Sequence, residues 1–374
     1  MLLSLLLVAA CDDPGREAAS AAGGIDGIDS GADGAATDGV DGGGGGAGSP
    51  GGGDDDDRPG GHDDGGFKLD VGGGPGGDGP GLPPAGCDTP EHAPCDEGTS
   101  DPFAAMGLGC PGEVTIVPST QGPDAARGIR SSLGATHTFD PTEGGAYAVI
   151  GTGLVAELDQ VTPDDDGSAY PTYCNDDLGD FDPGDTLPAP LRSNDVAGDC
   201  AADPTLVGTG DCSNTIADQL AQGDSANDYV EMRISARVPD DVVSLSYDFA
   251  FLSTEYPTYY GSSFNDMYVG WLESESWTGN VSFDGDGNPI SLNAGFLDFR
   301  DDDGTLPELG GTCMRRHAAT DWLTTTSPVT PGEEITLVFA IFDVSDSALD
   351  SYALLDNFQW GCDPSLIPQT QPEG

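Results

Sequence analysis

The clearest pattern along the chain is a two-residue alternation. Across residues 229–238 the apolar positions Val230, Met232, Ile234, Ala236 and Val238 interleave with Glu231, Arg233, Ser235 and Arg237, the period at which successive side chains of an extended backbone face opposite ways. Pro239, Asp240 and Asp241 then turn the chain, and residues 242–252 resume with β-branched and aromatic side chains, which favour a pleated sheet. Comparable runs over 146–158, 267–272, 280–283, 334–342 and 352–360 are mostly bounded by Gly, Pro, Asn or Asp, the residues that end strands and form turns. Only 214–222 carries a helical pattern longer than one turn. Many strands, long polar loops and few helices predict an all-β fold: a jelly-roll-like β-sandwich with long acidic loops, preceded by a disordered linker.

The linker follows from the N-terminal pattern. Residues 1–10 are almost wholly apolar and run into Val8-Ala9-Ala10-Cys11, which resembles a bacterial lipobox. That resemblance implies signal-peptide cleavage before Cys11 and lipidation of its thiol and new amino terminus. A run of this length is too short for a membrane span, which needs about 20 residues, but suits a signal sequence. Residues 11–86 are mainly Gly, Asp, Ala and Pro, and nothing there buries enough apolar surface to offset the entropy of ordering. They read as a disordered tether with an r.m.s. reach of roughly 45–50 Å. A folded unit is expected over 87–365, with its strongest signals at 229–362, and a disordered tail over 366–374.

Charge narrows the function classes. The chain carries 66 Asp and Glu against 11 Lys and Arg, a formal net charge of -55. Nucleic-acid binding is excluded on that basis, because phosphate contacts need clustered basic residues. Membrane contact is left to the lipid alone. Without the 16 acids and three basic residues of 11–86, the folded part keeps 50 acids against eight Arg. So much self-repulsion calls for bound cations, a saline setting or an extended surface.

Nine cysteines become eight once Cys11 is lipidated: Cys87, Cys95, Cys110, Cys174, Cys200, Cys212, Cys313 and Cys362. In an exported protein these predict up to four disulfides. Cys95 with Cys110 and Cys200 with Cys212 are close enough for local staples, and the other pairings stay open. A zinc site has little support, since no C-x-x-C occurs and His62, His92, His137 and His317 are scattered.

Three stretches carry a family resemblance: SYDFAFLSTEYPTYYGSSFNDMYVGWL at 246–272, VSFDGDGNPISLNAGF at 281–296, and TDWLTTTSPVTPGEEITLVFAIFDVSDSALDSYALLDNFQW at 320–360. They resemble the bacterial choice-of-anchor L domain, whose members share an extracellular domain and differ in how they are attached to the cell. The resemblance covers about a third of the chain. It implies a secreted β-sandwich, held here through Cys11, and no catalytic activity; residues 104–223 read as an accessory portion of the same unit.

Acidic residues supply the candidate chemistry. Asp343, Asp346 and Asp350 follow an apolar strand, Asp356 lies in the last strand, and Glu255 and Asp266 flank the EYP and FND loops. Calcium takes six to eight oxygens at flexible geometry, so these six are the expected metal ligands and calcium the expected cofactor. Asp284-Gly-Asp-Gly-Asn288 imitates an EF-hand opening, but its twelfth position is Gly295, and a turn explains it better. The runs at 164–166 and 301–303 read as solvated loops. Among clustered aromatics, Tyr256, Tyr259, Tyr260 and Trp277 are the candidates for stacking on a glycan ligand, the rest belonging to the core. No H-E-x-x-H, G-x-S-x-G or P-loop occurs. The expected protein is therefore not an enzyme. It is a lipid-anchored cell-envelope protein, on the outer membrane or surface rather than the inner membrane, displaying a calcium-stabilised sandwich for adhesion or binding of a glycan or protein ligand. The alternatives are a secreted carboxylate-dependent glycan hydrolase and a structural coat component.

Overall fold

Among the described residues fourteen strands form in the order β1 (Ile116–Gln121), β2 (Arg127–Arg130), β3 (Tyr147–Gly151), β4 (Ala226–Arg237), β5 (Ser244–Ser253), β6 (Met267–Glu273), β7 (Thr278–Asn280), β8 (Ile290–Ser291), β9 (Phe299–Arg300), β10 (Ala318–Ala319), β11 (Leu323–Pro328), β12 (Glu334–Val344), β13 (Ser351–Gly361) and β14 (Gln369–Pro372). The computed structural model describes residues 86–161, 172–179, 181–223, 225–284, 287–294, 297–300 and 306–373. The expected signal peptide, Cys11, the tether up to residue 85 and the acidic runs at 164–166 and 301–303 lie outside the described residues. Among the described residues no helix is long and apolar enough to cross a membrane.

Two antiparallel sheets make a sandwich, as the alternation predicts. One runs β1-β4-β12-β6-β7, with β8 on β6; the other runs β14-β11-β5-β13-β3-β2, with β10 joining β5 to β9. Between them Met232 and Ile234 of β4 and Leu337, Phe339 and Ile341 of β12 pack with Tyr247, Phe249 and Phe251 of β5 and Leu355 of β13. The Tyr247 and Phe339 rings meet edge to face at 4.9 Å, a geometry that adds to simple area burial.

The alternation fails in one instructive respect. A half-buried strand should wet its outer face, yet both outer faces are also covered. Tyr229, Trp271, Val338 and Phe342 pack under Leu187, Leu191 and Ile216, while Tyr147, Val149, Leu252, Tyr352 and Leu354 pack under Leu133, Phe139, Leu309 and Trp322. Strands covered on both sides read as continuous apolar runs, which is why residues 337–342 are all apolar.

Other expectations need correction. The helix expected over 214–222 contracts to Ala217–Leu220, because Asn214 sits at φ +52 and the backbone ahead of the helix wraps the Asp211 carboxylate. The strand expected over 146–158 stops at Gly151 and gives way to a 3-10 turn at Val155–Asp159. The tail expected to be disordered from residue 366 instead supplies β14, which pairs with β11 from Leu323↔Pro372 to Thr326↔Gln369; Thr370 Oγ1 also accepts from the Phe283 amide at 3.1 Å.

All eight described cysteines pair. Cys95–Cys110 and Cys200–Cys212 are the local staples. Cys87–Cys362 closes the unit's two ends, and Cys174–Cys313 ties two covering loops together.

Candidate functional site

The strand order brings scattered acids to one end of the sandwich. Strands β5 and β13 pair with Ser253 opposite Ser351, and β6 and β12 with Met267 opposite Phe342. The end of β5, the start of β6, the end of β12 and the start of β13 therefore converge. Glu255 lies two residues beyond β5, Asp266 immediately before β6, Asp343 near the end of β12, Asp346 two residues past it, and Asp350 immediately before β13. Ser345 at φ +83 and Leu349 at φ +70 force the turn between β12 and β13; strained non-glycine positions of this kind gather at functional loops.

All of these carboxylates but Asp346, which is half-buried, are sealed from water. Asp266 and Asp343 have no exposed surface and Glu255 only 1%. Their hydrogen bonding is incomplete. Asp266 Oδ2 accepts from Ser351 Oγ at 2.5 Å, but Asp266 Oδ1, Glu255 Oε2, Asp346 Oδ1 and both oxygens of Asp343 have no hydrogen-bond partner among the described residues. None of the ion pairs among the described residues reaches them.

The electrostatic consequence is large. Burial, reinforced by the Asp266 and Asp346 charges, pushes the Glu255 carboxyl up to about 11. Burial likewise raises Asp266 to about 7, with the Ser351 hydroxyl opposing it. Asp343 is raised well above the carboxylate range by burial and then by Asp266. An unpaired buried ion costs several kcal/mol, against a total stability of about 5–15 kcal/mol for a whole domain. Four anions cannot coexist here. Either protons or a cation must neutralise them.

Asp350 and Asp356 stand elsewhere than expected. Asp350 turns from this group toward residues 174–176, accepting from the Asp176 amide at 2.8 Å and the Tyr352 hydroxyl at 2.9 Å. Asp356, five residues along β13 from Ser351, accepts from the amides of Thr142, Glu143 and Asn357 at 2.8–3.1 Å. It is held by donors of its own, though burial still raises it to about 7.

Glu255 and Asp266 are also the two stems of an aromatic loop. Within it Tyr256 is mostly buried and Tyr260 is 43% exposed, their rings meeting edge to face at 6.1 Å. Tyr259 is half-buried and its ring meets Phe264 edge to face at 5.2 Å. Asn293 pins the loop's far side, accepting from the Gly261 amide at 2.6 Å and donating to Ser262 O at 2.7 Å. The Arg300 guanidinium lies 5.7 Å from the Tyr260 ring centre. Trp277, expected beside these as a stacking residue, is fully buried, and its Nε1 donates to Asn280 O at 3.2 Å; it is a core residue. His317, in the basic island after Arg315 and Arg316, places Nδ1 2.7 Å from Tyr256 O. Asp284 accepts from the Asn288 amide and from its side-chain nitrogen, both at 2.7 Å, closing the expected turn.

Among the described residues no three His, Cys, Asp or Glu side chains already stand as a metal-binding group. Holding an ion requires the end-of-sheet carboxylates to draw together, with backbone carbonyls and waters completing the shell. The donor chemistry fits calcium, being all oxygen and rich in carboxylate. No family model, no curated protein and no solved structure is significantly similar to this chain.

Proposed function

We propose that this chain is a cell-envelope protein, lipid-anchored through Cys11, whose sandwich is closed at one end by calcium and presents the 256–264 loop to an extracellular glycan or protein ligand. The choice-of-anchor L resemblance belongs to the same reading. The observation that carries it is the set of buried carboxylate oxygens without partners on Glu255, Asp266, Asp343 and Asp346. A divalent ion would remove their mutual repulsion and hold together three chain segments from both sheets. Because Glu255 and Asp266 are the loop's stems, occupancy would fix the spacing between them and order the exposed Tyr260 for contact. Their burial favours an ion over a polysaccharide chain, which cannot reach a carboxylate that is 0–1% exposed.

Thermal unfolding in chelator and in millimolar calcium tests the reading. At a hundredfold excess over Kd, calcium contributes about 2.7 kcal/mol, expected as a rise of several degrees in Tm. Tyr260→Ala should leave that rise intact while weakening retention on a panel of immobilised glycans. A Tm indifferent to calcium removes the cation, and glycan retention indifferent to Tyr260→Ala removes the loop as the contact surface.

A further inference from the structure

A second acidic group lies beside the first, built from a different part of the chain. Strand β4 carries a bulge where its register with β12 slips between Ile341 and Asp343, so that Asp228 and Tyr229 together oppose Phe342. Bulges redirect side chains beside functional sites. Here Asp228 adopts φ +46 and is fully buried. Its Oδ1 accepts from the Leu178 amide at 2.8 Å; its Oδ2, also buried, has no partner.

What packs against it is again acidic. Residues 175–179, with Asn175, Asp176 and Asp177, and Asp182 lie against this end of the sandwich. Asp182 Oδ1 accepts from the Asp228 amide at 3.0 Å and Asp350 Oδ1 from the Asp176 amide at 2.8 Å. The backbone presses close: a Cβ on Gly153 would stand 1.6 Å from Asp350 Oδ2. Among the described residues no ion pair reaches Asp176, Asp228 or Asp350. Burial, with Asp177, Asp182 and Asp176 adding to it and the Leu178 amide opposing it, pushes Asp228 up to about 7. Asp350 is raised well above the usual range by burial and by Asp176 and Asp228.

We propose that a second divalent cation, of calcium chemistry, binds between residues 175–179 and the sandwich end, with Asp228 Oδ2 as its buried ligand and Asp176 and Asp350 beside it. Asp228 and Asp350 both act electrostatically on Asp343, so the two sites are neighbours. This ion docks a covering loop on the strands, whereas the first joins the two sheets and the aromatic loop. The second site goes beyond the proposed function and stands without it.

Calcium stoichiometry of the full chain, by equilibrium dialysis and elemental mass spectrometry, tests it, with hydrogen exchange read on the same samples. Wild type should bind two equivalents. Asp228→Asn should bind one and lose calcium protection over 172–182, while keeping it over 255–266. Asp266→Asn should do the converse. Asp176→Asn, on a half-buried segment outside the strands, repeats the first test should Asp228→Asn fail to fold. Full stoichiometry in both Asp228→Asn and Asp176→Asn, or exchange over 172–182 indifferent to calcium, overturns the second site alone. Loss only in Asp228→Asn and Asp176→Asn, with Asp266→Asn binding as wild type, supports the second site and overturns the first. No calcium bound to wild type overturns both.

Discussion

Asp211 and Asp343 are both fully buried carboxylates, and the protein treats them in opposite ways. Asp211 sits in a nest of donors: the Ser213 amide and hydroxyl at 3.0 and 2.7 Å, the Thr215 and Ile216 amides at 3.2 and 3.3 Å, and the Asn280 amide at 3.1 Å. Burial still raises its pKa, with those donors pulling the other way. Asp343 has no donor within hydrogen-bond distance; the nearby Thr152 hydroxyl favours its charge, while burial and a second carboxylate, Asp266, oppose it. Asp211 is a structural anion whose charge is spread over the backbone that wraps it. Asp343 has no such support, so its charge must be cancelled from outside the chain. Burial alone does not leave a carboxylate in need of neutralisation; burial without donors does, by a proton or by a cation. A third solution appears at His92, whose Nε2 lies 2.7 Å from Glu143 and whose Nδ1 contacts Glu113, so that a protonated side chain supplies the counter-charge.

Removing the carboxylates separates the first two cases most strongly. Asp211→Ala strands four amide donors, the Ser213 hydroxyl keeping Thr215 Oγ1, each costing about 1–3 kcal/mol when left unsatisfied, and should lower stability by at least about 3 kcal/mol equally in calcium and in chelator. Asp343→Asn should do the reverse. In chelator it is as stable as wild type or more so, because an unsupported charge is gone; in calcium it forfeits the ion's contribution of about 2.7 kcal/mol. Urea unfolding of both variants in both buffers provides the readout, and a calcium response retained by Asp343→Asn breaks the comparison.

A smaller effect comes from the glycines that make room for Asp211 and for Asp350, the carboxylate of the second site. A Cβ on Gly279 would lie 2.3 Å from Asp211 Oδ1, and one on Gly153 1.6 Å from Asp350 Oδ2. Overpacking of this kind costs about 1–3 kcal/mol. Gly279→Ala should lose stability without altering calcium affinity, while Gly153→Ala should lose both, as read by unfolding and by calcium titration.

The smallest effect belongs to His92. Burial pulls its pKa down, but Glu143 and Glu113 outweigh that and the net shift is upward from 6.5. A raised folded value means that the pair's contribution is complete below pH 6.5 and disappears as pH rises through the folded value. His92→Gln should therefore cost up to about 1 kcal/mol at pH 5.5, discounted for solvent screening, and almost nothing at pH 9. Equal costs at both pH values would make His92 a packing residue instead.

The strand pattern carried most of the fold, because alternation at 229–238 and the apolar runs at 242–252, 334–342 and 352–360 are local signals. It could not show that both outer faces are covered, since the covering residues come from loops at irregular distances along the chain, from Phe139, 8 positions before Tyr147, to Leu187, 151 before Val338. The acids at the strand ends were legible for a simple reason: DVSDSALD and the stems of the EYP and FND loops stand where a sheet must stop. Asp356 and Trp277 were misplaced because a residue type says nothing about whether donors or neighbours already claim it. Asp228 went unseen because its role depends on a bulge, a register slip between strands more than 100 residues apart. Its local trace is the interruption of the apolar pattern by Asn227 and Asp228 at the start of β4.

A crystal structure grown in calcium tests the central claim most directly. Ion density is expected within Glu255, Asp266, Asp343 and Asp346, with their side chains drawn inward and oxygen ligands at about 2.3–2.6 Å. Density absent at that position, with Asp266 and Asp343 paired across a shared proton, would contradict it.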